Sequence, residues 1–363
     1  MMVLAVVMAG GLGMRLWPRS TERKPKQFVH VMGEGTLIQN TVVRLQPFVL
    51  QENVFVVTTD DLEAHVREQL PDVPVANIIR EPFGRNTGPC IALAATILRQ
   101  KYDDDTILVI LPSDHVIQNV REFQSVLNRA CTAAMAQQCI VTIGVMPTRP
   151  ESGFGYIQVG DDVETTNPIL DGRLQHVRTF AEKPDVATAQ RFIDAGDFVW
   201  NSGIFVARIG VLLDTIHKHL PDHGPLFQVY ARSIGNDDER DVLENVYRQI
   251  RSVSFDIGVM EKAQNACVVE GAFGWSDVGT WDELYRMSMK DTMNNVLEGN
   301  VVTQNSSNCF VNGSSGRLIG LVGVENLIVV ETETSILICE RGQSEKTRDL
   351  VELLRRRHIS KHL

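Results

Sequence analysis

Asp114 and Asp277 are the two carboxylates whose settings suggest chemistry. The first stands in Leu111-Pro112-Ser113-Asp114-His115, just past an apolar run, and the second in Gly274-Trp275-Ser276-Asp277-Val278-Gly279, where small residues suit close approach to a ligand. A hard divalent cation such as Mg2+ takes oxygen ligands and commonly uses one or two protein carboxylates together with phosphate oxygens. For phosphate itself there are Gly10, Gly11 and Gly13, whose missing side chains leave backbone N–H groups open to an anion, and the cations of Arg15 and Lys26. Each also has a plainer reading: glycine after a strand is a turn residue, and aspartate there is a helix cap or turn residue. A P-loop would need Gly-Lys-Ser/Thr, which is absent, and a dinucleotide fingerprint wants a third glycine roughly where Arg15 falls.

Further blocks mix small residues with polar groups. Glu81-Pro82-Phe83-Gly84-Arg85-Asn86-Thr87-Gly88-Pro89 reads as a loop that also carries an acid, a base and an amide, although capping of a following helix accounts for Asn86 or Thr87. Glu182-Lys183-Pro184 offers a point charge for a phosphate beside an acceptor for hydroxyls, or else an ordinary solvated pair. Gly153-Phe154-Gly155-Tyr156, Trp200-Asn201-Ser202-Gly203 and the stretch from Ser254 to Glu261 around Asp256 read, one at a time, as turns or caps. His115 reads as a histidine satisfied within the fold. No Ser-His-Asp order, activated cysteine or His-rich metal cluster stands out, so covalent catalysis is not required.

The elements that must position these residues follow from periodicity. Val3 to Met8 is a continuous apolar run of the kind found in strands covered on both faces. Strands at Val54 to Thr59, Val75 to Ile79, Ile107 to Leu111 and Ile140 to Val145 alternate with helices at Thr36 to Leu45, Leu62 to Leu70, Ile91 to Tyr102 and Val120 to Gln137. That alternation predicts a Rossmann-like α/β fold with a mostly parallel, doubly wound sheet, whose ligand crevice lies at the carboxyl ends of the strands. From about residue 151 a substrate lobe is expected, with strands at 156–159, 176–181 and 204–207 and helices at 186–194, 209–219 and 238–251. Beyond about 290, short β-branched runs between Gly, Asn, Ser and Thr turns predict a small all-β, solenoid-like unit closed by a helix over 349–356, with Arg355 to Arg357 as a solvated tail. The expected domains are 1–288 and 289–363.

Composition sets the outer limits. The 363 residues suffice for a large domain and a small one, and a formal net charge of −10 argues against a general nucleic-acid binder. The six cysteines show no metal-finger spacing and fit small core residues in a reducing compartment. The first apolar run is too short to span a membrane and has no charged leader, so a cytoplasmic protein without a membrane anchor is expected.

The opening block, Gly10-Gly11-Leu12-Gly13-Met14-Arg15-Leu16-Trp17-Pro18 followed by Pro25-Lys26-Gln27-Phe28, resembles the signature of the sugar-nucleotide pyrophosphorylases, and of their mannose-1-phosphate guanylyltransferase branch in particular. The Glu81 to Thr87, Glu182 to Pro184 and Trp275 to Gly279 blocks are similar to that family as well. The resemblance implies a mixed sheet of the nucleotide-diphospho-sugar transferase type with a β-helix-like C-terminal domain. It implies Asp114 and Asp277 as ligands of Mg2+ or a similar cation, and nucleotide contact at Ala9, Gly10, Gly11, Gly13, Arg15, Lys26, Arg85, Asn86 and Ser113. Sugar-phosphate contact is implied at Gly155, Glu182, Lys183, Asn201 and Asp256, with Arg15, Lys26, Asp114 and Lys183 catalytic. The implied reaction joins GTP and mannose 1-phosphate in a homodimeric enzyme. A pyrophosphorylase for another hexose or nucleotide, or a non-catalytic paralogue, is the alternative. Ile257-Gly258 departs from the Tyr-Ala that the family often has beside the aspartate.

Overall fold

The computed structural model describes residues 1–11 and 13–363, with Ser360 through its backbone alone. They form two compact units. The first comprises residues 1–10, 41–113 and 117–275; the second comprises 11–40, 114–116 and 276–363.

The first unit is built on a nine-stranded sheet. Its strands are β1 (Val3–Met8), β2 (Val54–Thr59), β3 (Ile78–Glu81) and β4 (Ile107–Pro112), then, past the two-residue β5 (Val116–Ile117), β6 (Ile140–Val145), β7 (Gly155–Asp162), β8 (Gln175–Glu182), β9 (Phe198–Arg208) and β10 (Ala266–Glu270). They lie in the order β3-β2-β1-β4-β9-β6-β10-β8-β7. From β3 to β4 all pairings are parallel, and β1 runs beside β4 from Val3↔Ile107 to Met8↔Pro112. Beyond β4 the sheet is mixed, as the resemblance implies, and there, among the described residues, only β6 and β10 pair in parallel. The eleven-residue β9 pairs antiparallel with both β4 and β6, and β7 and β8 extend the sheet as antiparallel neighbours. β9 follows the helix Val186–Ala195 and pairs with strands that are not its neighbours in sequence, so no local connection sets its direction. It begins at Phe198 rather than Ile204, because the small residues Asn201 to Gly203 continue the strand.

Helix α3 (Thr87–Arg99) starts four residues before the expected Ile91. Asn86 at φ 71° accepts the Thr87 N–H at 2.8 Å and caps it, and Pro89 sits in the first turn, where its missing N–H costs nothing. Asp185 caps the helix Val186–Ala195 as expected, accepting from Thr188 N at 2.7 Å.

The second unit stacks short strands. Past β11 (Trp275–Ser276) come β12 (Val296–Glu298), β13 (Val301–Gln304), β14 (Phe310–Gly313), β15 (Ile319–Val322), β16 (Leu327–Glu331) and β17 (Ile336–Glu340). β12, β14 and β16 are parallel and in register, so Val296, Phe310 and Ile328 form one column, as do Leu297, Val311 and Val329. β13 and β15 make a second parallel face. This is solenoid packing, in which each turn of chain buries its apolar residues on the next. Asn294, Asn305, Asn308 and Asn326 take left-handed backbone at the turns between strands, where asparagine is tolerated best after glycine. The core joins Leu16, Trp17, Trp281, Leu284, Phe310, Val330, Leu337 and Val351. The closing helix spans Thr347–Arg356, and the Arg355 to Arg357 run is exposed as expected, with the Arg355 guanidinium meeting the equally exposed Glu22 at 2.8 Å.

Among the described residues, no helix is long and apolar enough to cross a membrane. All six cysteines are free thiols.

Candidate functional site

Each unit carries a cluster of the residues singled out above. In the second unit the centre is Lys26, on a single helical turn (Lys26–Phe28) behind Pro25. Its side chain is 6% exposed, yet its ammonium donates to Asp114 Oδ2 at 2.8 Å and to the main-chain oxygen of Asp277. Gly13 admits the lysine stem: a Cβ there would stand 2.9 Å from Lys26 Cβ. Gln27 Nε2 donates to Gly11 O at 2.8 Å and ties the glycine turn to the same helical turn. The amide of Leu12 lies outside the described residues.

Removal from water pushes the Asp114 carboxyl up, but the Lys26 ammonium, His115 and the hydrogen bond from Lys26 outweigh it and hold it below the usual aspartate range. His115 Nε2 stands 3.9 Å from Asp114 Oδ1. Asp277 accepts the Gly279 N–H on Oδ1 at 3.1 Å, and Arg15, 55% exposed, approaches Oδ2 to 4.0 Å.

The turn that carries Asp277 is strained. Val278 has φ 47°, which a β-branched residue adopts at a cost of about 1–2 kcal/mol. Its N–H bonds to Ser276 Oγ at 3.0 Å, and Ser276 Oγ donates to the buried Glu283 at 3.0 Å, so the neighbouring helix start holds the turn against that strain. The sequence marks neither Val278 nor Glu283, since no pattern of residue types reveals a forced φ.

Asp114 and Asp277 supply the donor set that an Mg2+ ion takes when phosphate and water complete its shell. Both keep solvent access, at 33% and 25% side-chain exposure, and a cation already balances each, which suits an ion arriving together with phosphate. Among the described residues no group of three or more His, Cys, Asp or Glu forms a self-sufficient metal site.

In the first unit, Ala9 and Gly10 follow β1 and Ser113 follows β4, joined where Ser113 N donates to Met8 O at 3.1 Å. Glu81 ends β3 beneath them. A Cβ on Gly10 would lie 3.1 Å from Glu81 Oε2, so the glycine makes room for that carboxylate. Tyr247 donates to Glu81 Oε1 at 3.0 Å, and burial pushes the Glu81 carboxyl up to about 7 against the hydrogen bonds from Tyr247 and Cys90. In the sequence Glu81 reads only as one polar group of its loop. Its place at the end of a strand is the signal that marks it.

Arg85 donates through Nε to Tyr247 O at 3.0 Å, with its guanidinium 5.0 Å from the Phe83 ring centre, and the Asn86 side chain caps α3. The loop itself is fastened to the segment before Asp256, through Gly88 N to Val253 O at 3.0 Å and Phe255 N to Thr87 Oγ1 at 2.8 Å.

The five residues implied for sugar phosphate do come together. Gly155 pairs with Glu182 across β7 and β8, and a Cβ on it would stand 2.7 Å from Glu182 Oε2. Lys183, at φ 49°, turns back to donate to Glu182 Oε1 at 2.6 Å. Asn201 Oδ1 accepts from Thr142 Oγ1 at 3.0 Å and Gly203 N at 3.1 Å, which fixes its amide so that Nδ2 donates to Asp256 Oδ1 at 2.8 Å. Asp256 opens a π-helical turn, Asp256–Met260, a form that recurs at functional sites. Removal from water and then the Glu182 charge push its carboxyl up to about 6, against the hydrogen bond from Asn201 and the Lys183 cation. Ile257 beside it is 47% exposed.

Comparison with known proteins gives two family matches: the Nucleotidyl transferase family over residues 4–294, and the MannoseP isomerase/GMP-like beta-helix domain over residues 299–354. The chain is 37% identical over 355 residues to the alginate biosynthesis protein AlgA of Pseudomonas syringae pv. tomato, covering 97% of this chain and 72% of that protein. It is 37% identical over 357 residues to a mannose-1-phosphate guanylyltransferase of Escherichia coli, covering 98% and 74%. Among solved structures, one from Thermus thermophilus described as a mannose-1-phosphate geranyltransferase superposes with a TM-score of 0.86 at 32% identity, covering 98% of this chain and all of that one.

Proposed function

The chain belongs to the nucleotidyltransferase family, in the branch of the mannose-1-phosphate guanylyltransferases, and from that premise we propose that it transfers GMP from GTP to α-D-mannose 1-phosphate, giving GDP-mannose and pyrophosphate. The observation that carries the chemistry is Lys26, buried at 6% exposure with its ammonium on Asp114 and on the Asp277 main chain. A cation held there between the Asp114 carboxylate and the Asp277 main-chain oxygen is placed for phosphate oxygens.

An oxygen of the sugar phosphate attacks the α-phosphorus of GTP, the bond to the bridging oxygen of the β-phosphate breaks, and pyrophosphate leaves with that electron pair. The attacking oxygen is already anionic, so no general base is needed. What the protein supplies is position and neutralisation of phosphate charge. In this reading the glycine-turn amides, Arg15 and Lys26 hold the triphosphate and stabilise the departing pyrophosphate. Lys183 holds the attacking phosphate, while Glu182, Asn201 and Asp256 accept or donate to the hexose hydroxyls. Arg85 and Asn86 stand by the nucleobase and ribose. Mg2+ on Asp114 and Asp277 would neutralise phosphate charge as a Lewis acid.

A homodimer belongs to the same reading. Its support is the second unit, whose strands leave Val302, Leu318, Val322, Ile336 and Ile338 each more than half exposed. Light scattering that gives the mass of a single chain would remove it. A cytoplasmic site of action is supported by the six free thiols.

Pyrophosphate release measured over a grid of nucleoside triphosphates and hexose 1-phosphates tests the assignment. The GTP and mannose 1-phosphate pair is expected to give the highest kcat/KM, and a clear preference for another pair would overturn it. The same assay carries a pH signature. Because the Asp256 carboxyl sits at about 6, protonation below that pH removes an anionic acceptor, and KM for the sugar phosphate is expected to rise as pH falls from 7 to 5. In Asp256→Asn the KM should be high already and flat over that range.

A further inference from the structure

The segment from Gly11 to Asn40 lies within the stretch matched by the nucleotidyltransferase family, yet it folds in the same compact unit as the C-terminal strands. Between Arg15 and Lys26 that segment is fastened at three points. Trp17 is 6% exposed in the core with Trp281 and Phe310; its indole N–H donates to His362 O at 2.7 Å, and its carbonyl accepts from Trp281 Nε1 at 3.0 Å. Arg19 donates through Nε to Asn312 Oδ1 at 2.8 Å, and through a second guanidinium nitrogen to the same oxygen. Asn312 in turn donates to Glu298, which ties the contact to the neighbouring strand. Farther on, Glu22 accepts from Arg355 Nε at 3.0 Å.

Arg19 is a long charged side chain held by the buried Asn312, whereas Glu22 and Arg355 form a surface pair and Arg15, on the same turn as Arg19, remains 55% exposed. The backbone turn between Arg15 and Arg19 is closed by Trp17 N to Met14 O at 3.1 Å and Arg19 N to Leu16 O at 2.9 Å. Arg15 thus shares one hydrogen-bonded turn with Trp17 and Arg19, and the stretch from Ser20 to Lys24, closed by Thr21 N to Lys24 O at 3.0 Å, links that turn to Pro25 and Lys26.

We propose that the C-terminal β unit serves as the positioning frame for the phosphate cations, with Arg19, Asn312 and Trp17 as the positioning residues that set where Arg15 and Lys26 stand. None of the three touches substrate in this scheme. The inference rests on the reading of Arg15 and Lys26 given above. A frame of this kind matters because stabilisation of developing charge depends on donors held in place beforehand, and a misplacement of about 1 Å costs on the order of 100-fold in rate.

The test uses the full chain with GTP and mannose 1-phosphate, measuring kcat, both KM values and the melting temperature for Arg19→Met, Asn312→Ala and Trp17→Phe. The expected result is a fall in kcat of about 10- to 100-fold with KM for mannose 1-phosphate unchanged within about twofold. Arg19→Lys, which keeps one donor, should recover part of the loss, and Glu333→Gln on an exposed bend of the same unit should behave as wild type. A lowered melting temperature with wild-type kcat in the folded variants would reduce the contacts to stability and overturn the proposal. Should Arg19→Met fail to fold, Trp17→Phe and Arg19→Lys still decide it, since wild-type kcat in both overturns it. Lys26→Met, run in parallel, separates the two levels. Full activity there refutes the role of Lys26 itself, whereas an inactive Lys26→Met beside fully active Arg19 and Asn312 variants refutes only the frame.

Discussion

Lys26→Met is expected to lower kcat for pyrophosphate release by about 100- to 1,000-fold, the loss seen when one preorganised donor to a developing charge is removed. Methionine keeps the unbranched stem that Gly13 accommodates, so the packing survives and only the ammonium goes. The cost in stability is much smaller. Asp114 retains 33% side-chain exposure, so water can take over its side of the pair, and the loss is about 1 kcal/mol, about 1–2 °C in Tm for a chain of this length. The two effects differ by about 2–3 kcal/mol, which makes them separable by steady-state kinetics beside a thermal melt. A variant that loses several degrees but keeps its turnover would mean that Lys26 is a structural cation.

Asp114→Asn should come next in size, with kcat down by about 100-fold and the Mg2+ concentration for half-maximal rate raised at least tenfold. Asparagine still accepts the Lys26 hydrogen bond, so this change removes charge without vacating the position. The dependence on Mg2+ is the discriminating readout. If kcat falls while the Mg2+ requirement stays where it was, Asp114 acts by orienting Lys26 and the cation is held elsewhere.

The parts of this protein that were legible in its sequence are those governed by local rules. The buried run from Val3 to Met8, the cap at Asp185 and the order of strands and helices up to Val145 appear as periodicity predicts, although the third strand lies at Ile78–Glu81 rather than Val75 to Ile79, whose first residues form a helical turn. Gly13 and Gly155 were legible as small residues but not in their purpose. One makes room for a lysine stem and the other for a carboxylate on a neighbouring strand, and both depend on partners 13 and 27 positions away (26 − 13 and 182 − 155). The direction of β9 was out of reach, because a buried apolar run reads alike in parallel and antiparallel pairing. The raised carboxyls of Glu81 and Asp256 were equally hidden, since both arise from burial among side chains brought in by other elements. Val278 shows the limit most plainly: its left-handed backbone is imposed by Ser276 and Glu283, and nothing in its own identity announces it.

The bond from Trp17 to His362 closes a separation of 345 positions, and it bears on how the protein is made. A ribosome adds about 5–20 residues per second, so roughly 17–70 s pass between the emergence of Trp17 and that of His362. During that time Leu16 and Trp17 have no core to enter, and two large apolar side chains beside an unsatisfied glycine turn are a target for chaperones or for aggregation. Contacts so distant along the chain also form late and slowly. The region implied in phosphate binding is therefore synthesised well before the partners at residues 281 to 362 that fold it, so that nucleotide-binding competence waits on them.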